Sequence, residues 1–389
     1  MFKILYNQIK YIYKQNKTHQ LLVIILSIII ILGVVFSSKY FQPVKIERQP
    51  QEIINILETN NLDKQVEYYK ELLNRVGVSK AQEYLYRSGL PFTGQTHLLN
   101  HTTGDFAYKK YGNKAPLYCK DHFLSSCYHG AILNIIAKEG IDSLEKTMDY
   151  CREKGTPVAS QCAHGIGHGA LAWVGYKNLT EALDICDGLA KKDSRFPIFN
   201  CHDGVFMENL WAVHNDGTPS PDRWVKDDDP YYPCNDSRIK EKWQSGCWSN
   251  QASVMYQMFG GDIEKVAKYC DAVKNNSYKE TCYNNIARQI HPLTEGNIDE
   301  ALYYCGLLPK EKTAECLLTI SNADYSVGGR QLSYEICATL SVGKQKESCY
   351  QNLNGNIRLY YGDFEERKVQ CMQIREGPFQ KQCIQNVTL

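Results

Sequence analysis

Sixteen cysteines in eight evenly spaced pairs constrain this chain more than any other feature. The pairs are Cys119/Cys127, Cys151/Cys162, Cys186/Cys201, Cys234/Cys247, Cys270/Cys282, Cys305/Cys316, Cys337/Cys349 and Cys371/Cys383. Their second members advance by 35, 39, 46, 35, 34, 33 and 34 residues, taken as differences of their numbers. A repeat of that length is the mark of stacked helical units. An even cysteine count outside the cytoplasm is the mark of a disulfide framework.

Each unit reads as two helices. The stretches Asn178 to Cys186, Gly261 to Cys270, Asn297 to Cys305 and Gly362 to Cys371 open on Asn, Asp or Gly and place acidic residues in the first turn. That is capping and helix-dipole chemistry. Apolar residues then recur at spacings of three and four. The first helix is expected to end at its cysteine. A loop of about ten residues follows, and the second cysteine is expected to open the second helix. Each pair is therefore predicted to bridge its own loop. Such a staple contributes about 2–3 kcal/mol in the chain-entropy picture.

Over residues 115–389 this pattern resembles the tetratricopeptide-like α/α repeats, especially secreted, cysteine-rich members with a disulfide in each repeat. The resemblance implies an all-α superhelix, an α-solenoid. It also implies a binding role, with a protein, peptide or glycan on the concave face. It carries no catalytic residue across. Cys119/Cys127 departs from the other pairs by enclosing only seven residues, where the rest enclose ten to fourteen.

The N-terminus adds a membrane element. Residues 21–36 are an apolar run broken by Ser27 and Gly33, and residues up to 41 extend it towards the roughly 20 needed to span a bilayer. Lys3, Lys10, Lys14 and Lys17 precede it with no acidic residue. That bias places 1–20 in the cytoplasm as a basic tail, 21–41 as a transmembrane anchor and the remainder outside the cytoplasm. A cleaved signal peptide is the alternative, but the long polar lead favours a retained anchor. Residues 42–50 read as a stalk, 51–114 as an N-terminal helical region, and 213–233 as a loop inserted into one repeat. The formal net charge of +1 argues against a nucleic-acid partner.

Histidine is concentrated. Eight of ten lie between His97 and His214. His97/His101 and His164/His168 are spaced by four residues, which puts both imidazoles on one helix face. Two residues after each second cysteine stand His129, His164, Asp203, Ser249, Asn284, Leu318, Gln351 and Gln385. The first three of these are each followed by glycine, at positions 130, 165 and 204. Those glycines allow neighbouring helices to approach closely.

The candidate metal ligands are therefore His97, His101, His129, His164 and His168, with His202 and Asp203 beside them. Imidazole suits zinc first, with iron or copper as alternatives. Glu208, one turn beyond, is the candidate general base for a metal-bound water. Two functions follow: a membrane-anchored extracytoplasmic binding array with a His-rich metal site, or a metal-dependent hydrolase with its active site in residues 93–215. The array is the preferred reading.

Overall fold

The computed structural model describes residues 49–90, 94–211 and 220–387. The expected tail and anchor, nearly all of the stalk and the first part of the 213–233 loop lie outside the described residues. Among the described residues every regular element is helical, and no helix is long and apolar enough to cross a membrane.

Three helices form the first segment: α1 (Gln51–Glu58), α2 (Leu62–Val76) and α3 (Val78–Tyr86). Asn61 caps α2 by accepting from the Lys64 amide. Ile53, Ile56, Tyr69, Leu72 and Leu85 are buried from these helices in a core that also takes Leu99 and Phe123. Leu99 comes from α4 (Gly94–Tyr111), the first helix to carry histidines.

The cysteine pairs organise the rest. The second cysteine of each unit lies in α5 (Ser126–Glu139), α7 (Thr156–Val174), α9 (Ile198–Trp211), α10 (Gln244–Met258), α12 (Asn276–Ile290), α14 (Lys310–Ser326), α16 (Lys344–Tyr360) or α18 (Gly377–Val387). Six of the first cysteines lie in a shorter helix: α6 (Leu144–Glu153), α8 (Leu179–Lys192), α11 (Ile263–Asp271), α13 (Ile298–Gly306), α15 (Gln331–Thr339) or α17 (Phe364–Met372). The eight expected bonds are all formed: Cys119–Cys127, Cys151–Cys162, Cys186–Cys201, Cys234–Cys247, Cys270–Cys282, Cys305–Cys316, Cys337–Cys349 and Cys371–Cys383. Each closes within its own unit, over a separation of 8 to 15 residues.

The second cysteines do not open their helices, which corrects the sequence expectation. Cys162, Cys282, Cys316, Cys349 and Cys383 stand inside α7, α12, α14, α16 and α18, each more than one turn past the helix start. Cys201 and Cys247 stand just short of one turn in, and only Cys127 lies at the start of its helix. The reason is that start signals fall within the expected loops. Pro157 sits in the first turn of α7, where its missing amide proton costs nothing. Asn275 caps α12 by accepting from the Ser277 and Tyr278 amides. Pro309 and Gly343 precede α14 and α16. Each of these disulfides thus joins the side of the second helix to the helix before it. Cys186 likewise does not end α8, which continues to Lys192.

Capping of the shorter helices follows the sequence in part. Asp262, Asn297 and Asp363 accept capping bonds from the helices they open. Asn178 does not; its side-chain amide instead donates to the Val174 carbonyl at 2.6 Å.

Among the described residues two units show no leading α-helix. In the first it is replaced by a 3-10 stretch, Gly112–Tyr118, that contains Pro116. In the fourth, no α-helix precedes Cys234 among residues 220–233. Pro221, Pro230 and Pro233 lack the amide protons a helix interior needs. This segment is tied down nonetheless. Trp224 is buried and exchanges two backbone bonds with the Asn209 side chain, at 2.7 and 3.0 Å.

The longer helices pack in chain order, α4 on α5, α5 on α7, and onward to α18. The row also returns on itself. The Tyr86 hydroxyl donates to the Tyr325 carbonyl at 2.8 Å, and the Phe123 amide to the Ser326 carbonyl at 3.3 Å. Tyr86 stacks on His122 (3.9 Å between centroids) and on Tyr360 (5.8 Å). The N-terminal segment and first unit thus meet the sixth and seventh units.

The loop lengths carry a stability prediction. Replacing both Cys186 and Cys201 by Ala releases a separation of 15 residues. The expected loss is about 3 kcal/mol, measured as a lower midpoint in urea denaturation of the otherwise oxidised protein.

Candidate metal centre

Four neighbouring helices build the site because their backbones touch. A Cβ added to Gly130 of α5 would lie 2.2 Å from the His101 carbonyl oxygen of α4, and one added to Gly104 of α4 would lie 2.2 Å from the Cys127 carbonyl oxygen of α5. The α7/α9 pair repeats this arrangement. Gly204 faces the His164 carbonyl oxygen at 2.0 Å, and Gly167 faces that of Cys201 at 2.1 Å. No side chain larger than hydrogen fits at these four points. Close-packed backbones bring the residues beside them together.

Five histidines converge there. His97 and His101 of α4 stand 4.9 Å apart between ring centroids, and His164 and His168 of α7 stand 4.8 Å apart. His129 of α5 lies between the pairs, 5.2 Å from His97, 5.5 Å from His101, 5.2 Å from His164 and 4.4 Å from His168. Two triads can each gather ligand nitrogens within 4.8 Å of one another: His97, His101 and His129, and His129, His164 and His168.

The histidines are held from outside. His164 Nδ1 lies 3.1 Å from Asp203 Oδ2, and His168 Nδ1 lies 2.8 Å from Glu208 Oε2. His97 Nδ1 lies 2.8 Å from the Phe123 carbonyl oxygen. These acceptors have supports of their own. Tyr176 donates its hydroxyl to Glu208 Oε1 at 2.9 Å, while Ser249 and Asn250 of α10 donate to Asp203. A metal-ligating imidazole commonly has its second nitrogen held by a carboxylate or carbonyl in this way.

Electrostatics favour neutral rings at four of the five histidines. Burial drives His97 down to about 4, against the opposing pull of the Phe123 carbonyl. Burial, followed by the neighbouring imidazoles, lowers His101 and His129 well below the usual histidine range. Burial also lowers His168, although its bond to Glu208 opposes the shift. Burial alone would raise Asp203, but the His164 contact and charge outweigh it and hold the carboxyl at about 2. Neutral rings at His97, His101, His129 and His168 are suited to offer nitrogen lone pairs to a cation.

One of the outer acceptors sits on a strained turn. Phe123, Leu124 and Ser125 have φ values of 50°, 53° and 62°. The left-handed region costs non-glycine residues roughly 1–2 kcal/mol each. The surroundings hold the turn. Gln82 clamps both sides of Cys119, accepting from the Lys120 amide at 2.9 Å and donating to the Tyr118 carbonyl at 2.8 Å. Asp121 accepts from the Ser125 hydroxyl and from Gln161, and Phe123 is buried. The turn aims the Phe123 carbonyl at His97.

The other candidate residues have different places. His202 turns away from the five-histidine cluster, with Nε2 3.1 Å from Asp187 Oδ1; Trp243 and Lys242 also bind Asp187. Asp203 and Glu208 touch imidazoles and form an outer ring around the nitrogens. Both oxygens of Glu208 are engaged, by His168 and Tyr176. His122 stacks on Tyr86 outside the cluster, and His214 lies outside the described residues. The repeat-equivalent column nevertheless forms a continuous string: His129 contacts His164, His164 bonds Asp203, and Asp203 accepts from Ser249. Phe123, Tyr176 and Gly167 belong to the site as well. Only Gly167 had a local signal, in the Gly-Ile-Gly run between His164 and His168.

The glycine contacts can be tested against an internal control. Gly204→Ala should cost about 1–3 kcal/mol by forcing α7 and α9 apart. Gly188 of α8 has nothing within 4 Å of an added Cβ. Gly188→Ala should leave stability unchanged or raise it by up to about 1 kcal/mol. Urea denaturation of both variants reads the difference.

The chain matches no protein-family model, no curated protein and no solved structure.

Proposed function

We propose that this protein is an extracytoplasmic binding array, an α-solenoid of tetratricopeptide-like type, with a transition-metal centre on its histidine-bearing helices. The eight disulfides point to an oxidising, extracytoplasmic or secreted location. In this reading residues 21–41 anchor the chain in a membrane, and the array binds a protein, peptide or glycan. His97, His101, His129, His164 and His168 supply the ligands, and zinc is the first choice, with copper or iron as alternatives.

One observation carries the metal reading. His164 Nε2 and His168 Nε2 face each other at 3.1 Å. Their Nδ1 atoms both point at carboxylates, which accept hydrogen bonds when ionised. When both rings are neutral and their Nδ1 protons are spent on those carboxylates, two bare lone pairs confront each other in a buried site. A cation between them removes the repulsion. Two nitrogens bound tetrahedrally at about 2.0–2.1 Å stand about 3.3–3.4 Å apart, close to this spacing.

The hydrolase alternative asks Glu208 to activate a water. Its two oxygens already hold His168 and Tyr176. In the reading preferred here Glu208 is a positioning residue.

The test is metal content of the full oxidised chain purified without chelators and then dialysed against zinc. The wild-type protein should retain at least one equivalent. His164→Ala/His168→Ala should lose metal while keeping its far-ultraviolet circular dichroism. Glu208→Gln should weaken affinity about 10- to 100-fold through the lost support of His168. A wild-type chain that holds neither zinc nor copper would sink the proposal.

A further inference from the structure

We infer that His129 is a bridging ligand, its ring shared as an imidazolate between two metal ions. This rests on the metal-centre reading above and extends it from one ion to a coupled pair.

The five histidines form two triangles that meet at a single ring. Within each triangle all three rings are in contact. Among the described residues no ring contact joins His97 or His101 to His164 or His168. The candidate ligand nitrogens likewise gather into two groups of three, with His129 in both. One ion binds nitrogens at about 2.0–2.1 Å, so its ligands lie within about 4 Å of one another. A single ion would therefore serve one triangle and leave the other unused.

The surroundings of His129 differ from those of His97, His164 and His168. His97, His164 and His168 each direct Nδ1 at an outer acceptor, which leaves one nitrogen apiece for a metal. Among the described residues His129 and His101 both lack such an acceptor, and of the two only His129 belongs to both groups of ligand nitrogens. Its Nδ1 lies 3.3 Å from His97 Nε2, on the α4 side. Its Nε2 is buried with no hydrogen-bond partner, and the His168 ring lies 4.4 Å away between centroids. Only 1% of His129 is exposed. A buried ring with neither nitrogen anchored outward suits a ligand that uses both. Binding the second ion displaces the remaining ring N–H proton to solvent, and no electron transfer is involved.

Each triangle also has its own support. The α4 side rests on the Phe123 carbonyl, and the α7 side on Asp203 and Glu208. The two half-sites should therefore be separable by mutation.

The experiment loads the full oxidised chain with Cu²⁺. It measures bound copper by mass spectrometry and spin intensity by low-temperature electron paramagnetic resonance. Two equivalents are expected, with most of the spin intensity missing because the two ions couple through the shared ring. His97→Ala/His101→Ala and His164→Ala/His168→Ala should each fall to one equivalent at full intensity. His129→Ala should abolish the coupling whatever copper remains. Circular dichroism checks folding, and the two wing variants keep the test decisive if His129→Ala fails to fold. Two equivalents at full intensity would overturn the bridge, as would one equivalent lost in only one wing variant; both leave the metal centre standing. No bound copper or zinc in the wild-type chain would overturn bridge and metal centre together.

Discussion

Backbone contact between helices is the constraint on which this site depends. Gly130 lies against the His101 carbonyl and Gly204 against that of His164, at distances no Cβ allows. These contacts draw α4 onto α5 and α7 onto α9, and with α5 packed on α7 the five imidazoles meet. Alanine at either position would move whole helices, since the clashing atom is backbone and has no rotamer to yield. Interiors are packed too densely to absorb such a displacement without cost.

Around this contact the polar groups are arranged in shells. The inner nitrogens face one another, and the outer Asp203, Glu208 and Phe123 carbonyl fix the orientation of three rings. Tyr176, Ser249 and Asn250 support the outer ring in turn. Buried polar groups of this kind destabilise a fold when left unsatisfied. His101 Nε2 and His129 Nε2 are buried without partners, and a bound cation would satisfy such atoms.

The disulfides and the returning chain give the site a stiff frame. Each staple ties a second helix to the segment before it, and the bond from Tyr86 to Tyr325 ties helix α3 to α14 across 239 residues of sequence. The strained turn at Phe123 lies at this junction. Its amide bonds Ser326 and its carbonyl meets His97. The junction therefore reaches the imidazoles through a single residue.

The sequence by itself determined the covalent frame: which cysteines pair, that most units are two helices, and that His97, His101, His129, His164 and His168 belong together. These features are local or periodic. A capping Asp, a spacing of four residues and a recurring cysteine each act within one or two turns of helix, so their meaning survives without the fold. The starts of the second helices were local too, in Pro157, Asn275, Pro309 and Gly343, but the cysteine period drew them too late in the chain. A disulfide constrains the distance between two side chains and says nothing of where a helix begins. Only the tertiary structure decided the division of labour. Asp203 and Glu208 sit in an outer ring, His202 turns to Asp187, and a left-handed Phe123 supplies a carbonyl, because each outcome depends on side-chain direction across helices far apart in sequence. The same holds for the replaced leading helix of the first unit and for the return of Tyr86 to Tyr325. Period and composition encode which residues share a face; they do not encode which atom of a neighbouring helix that face meets.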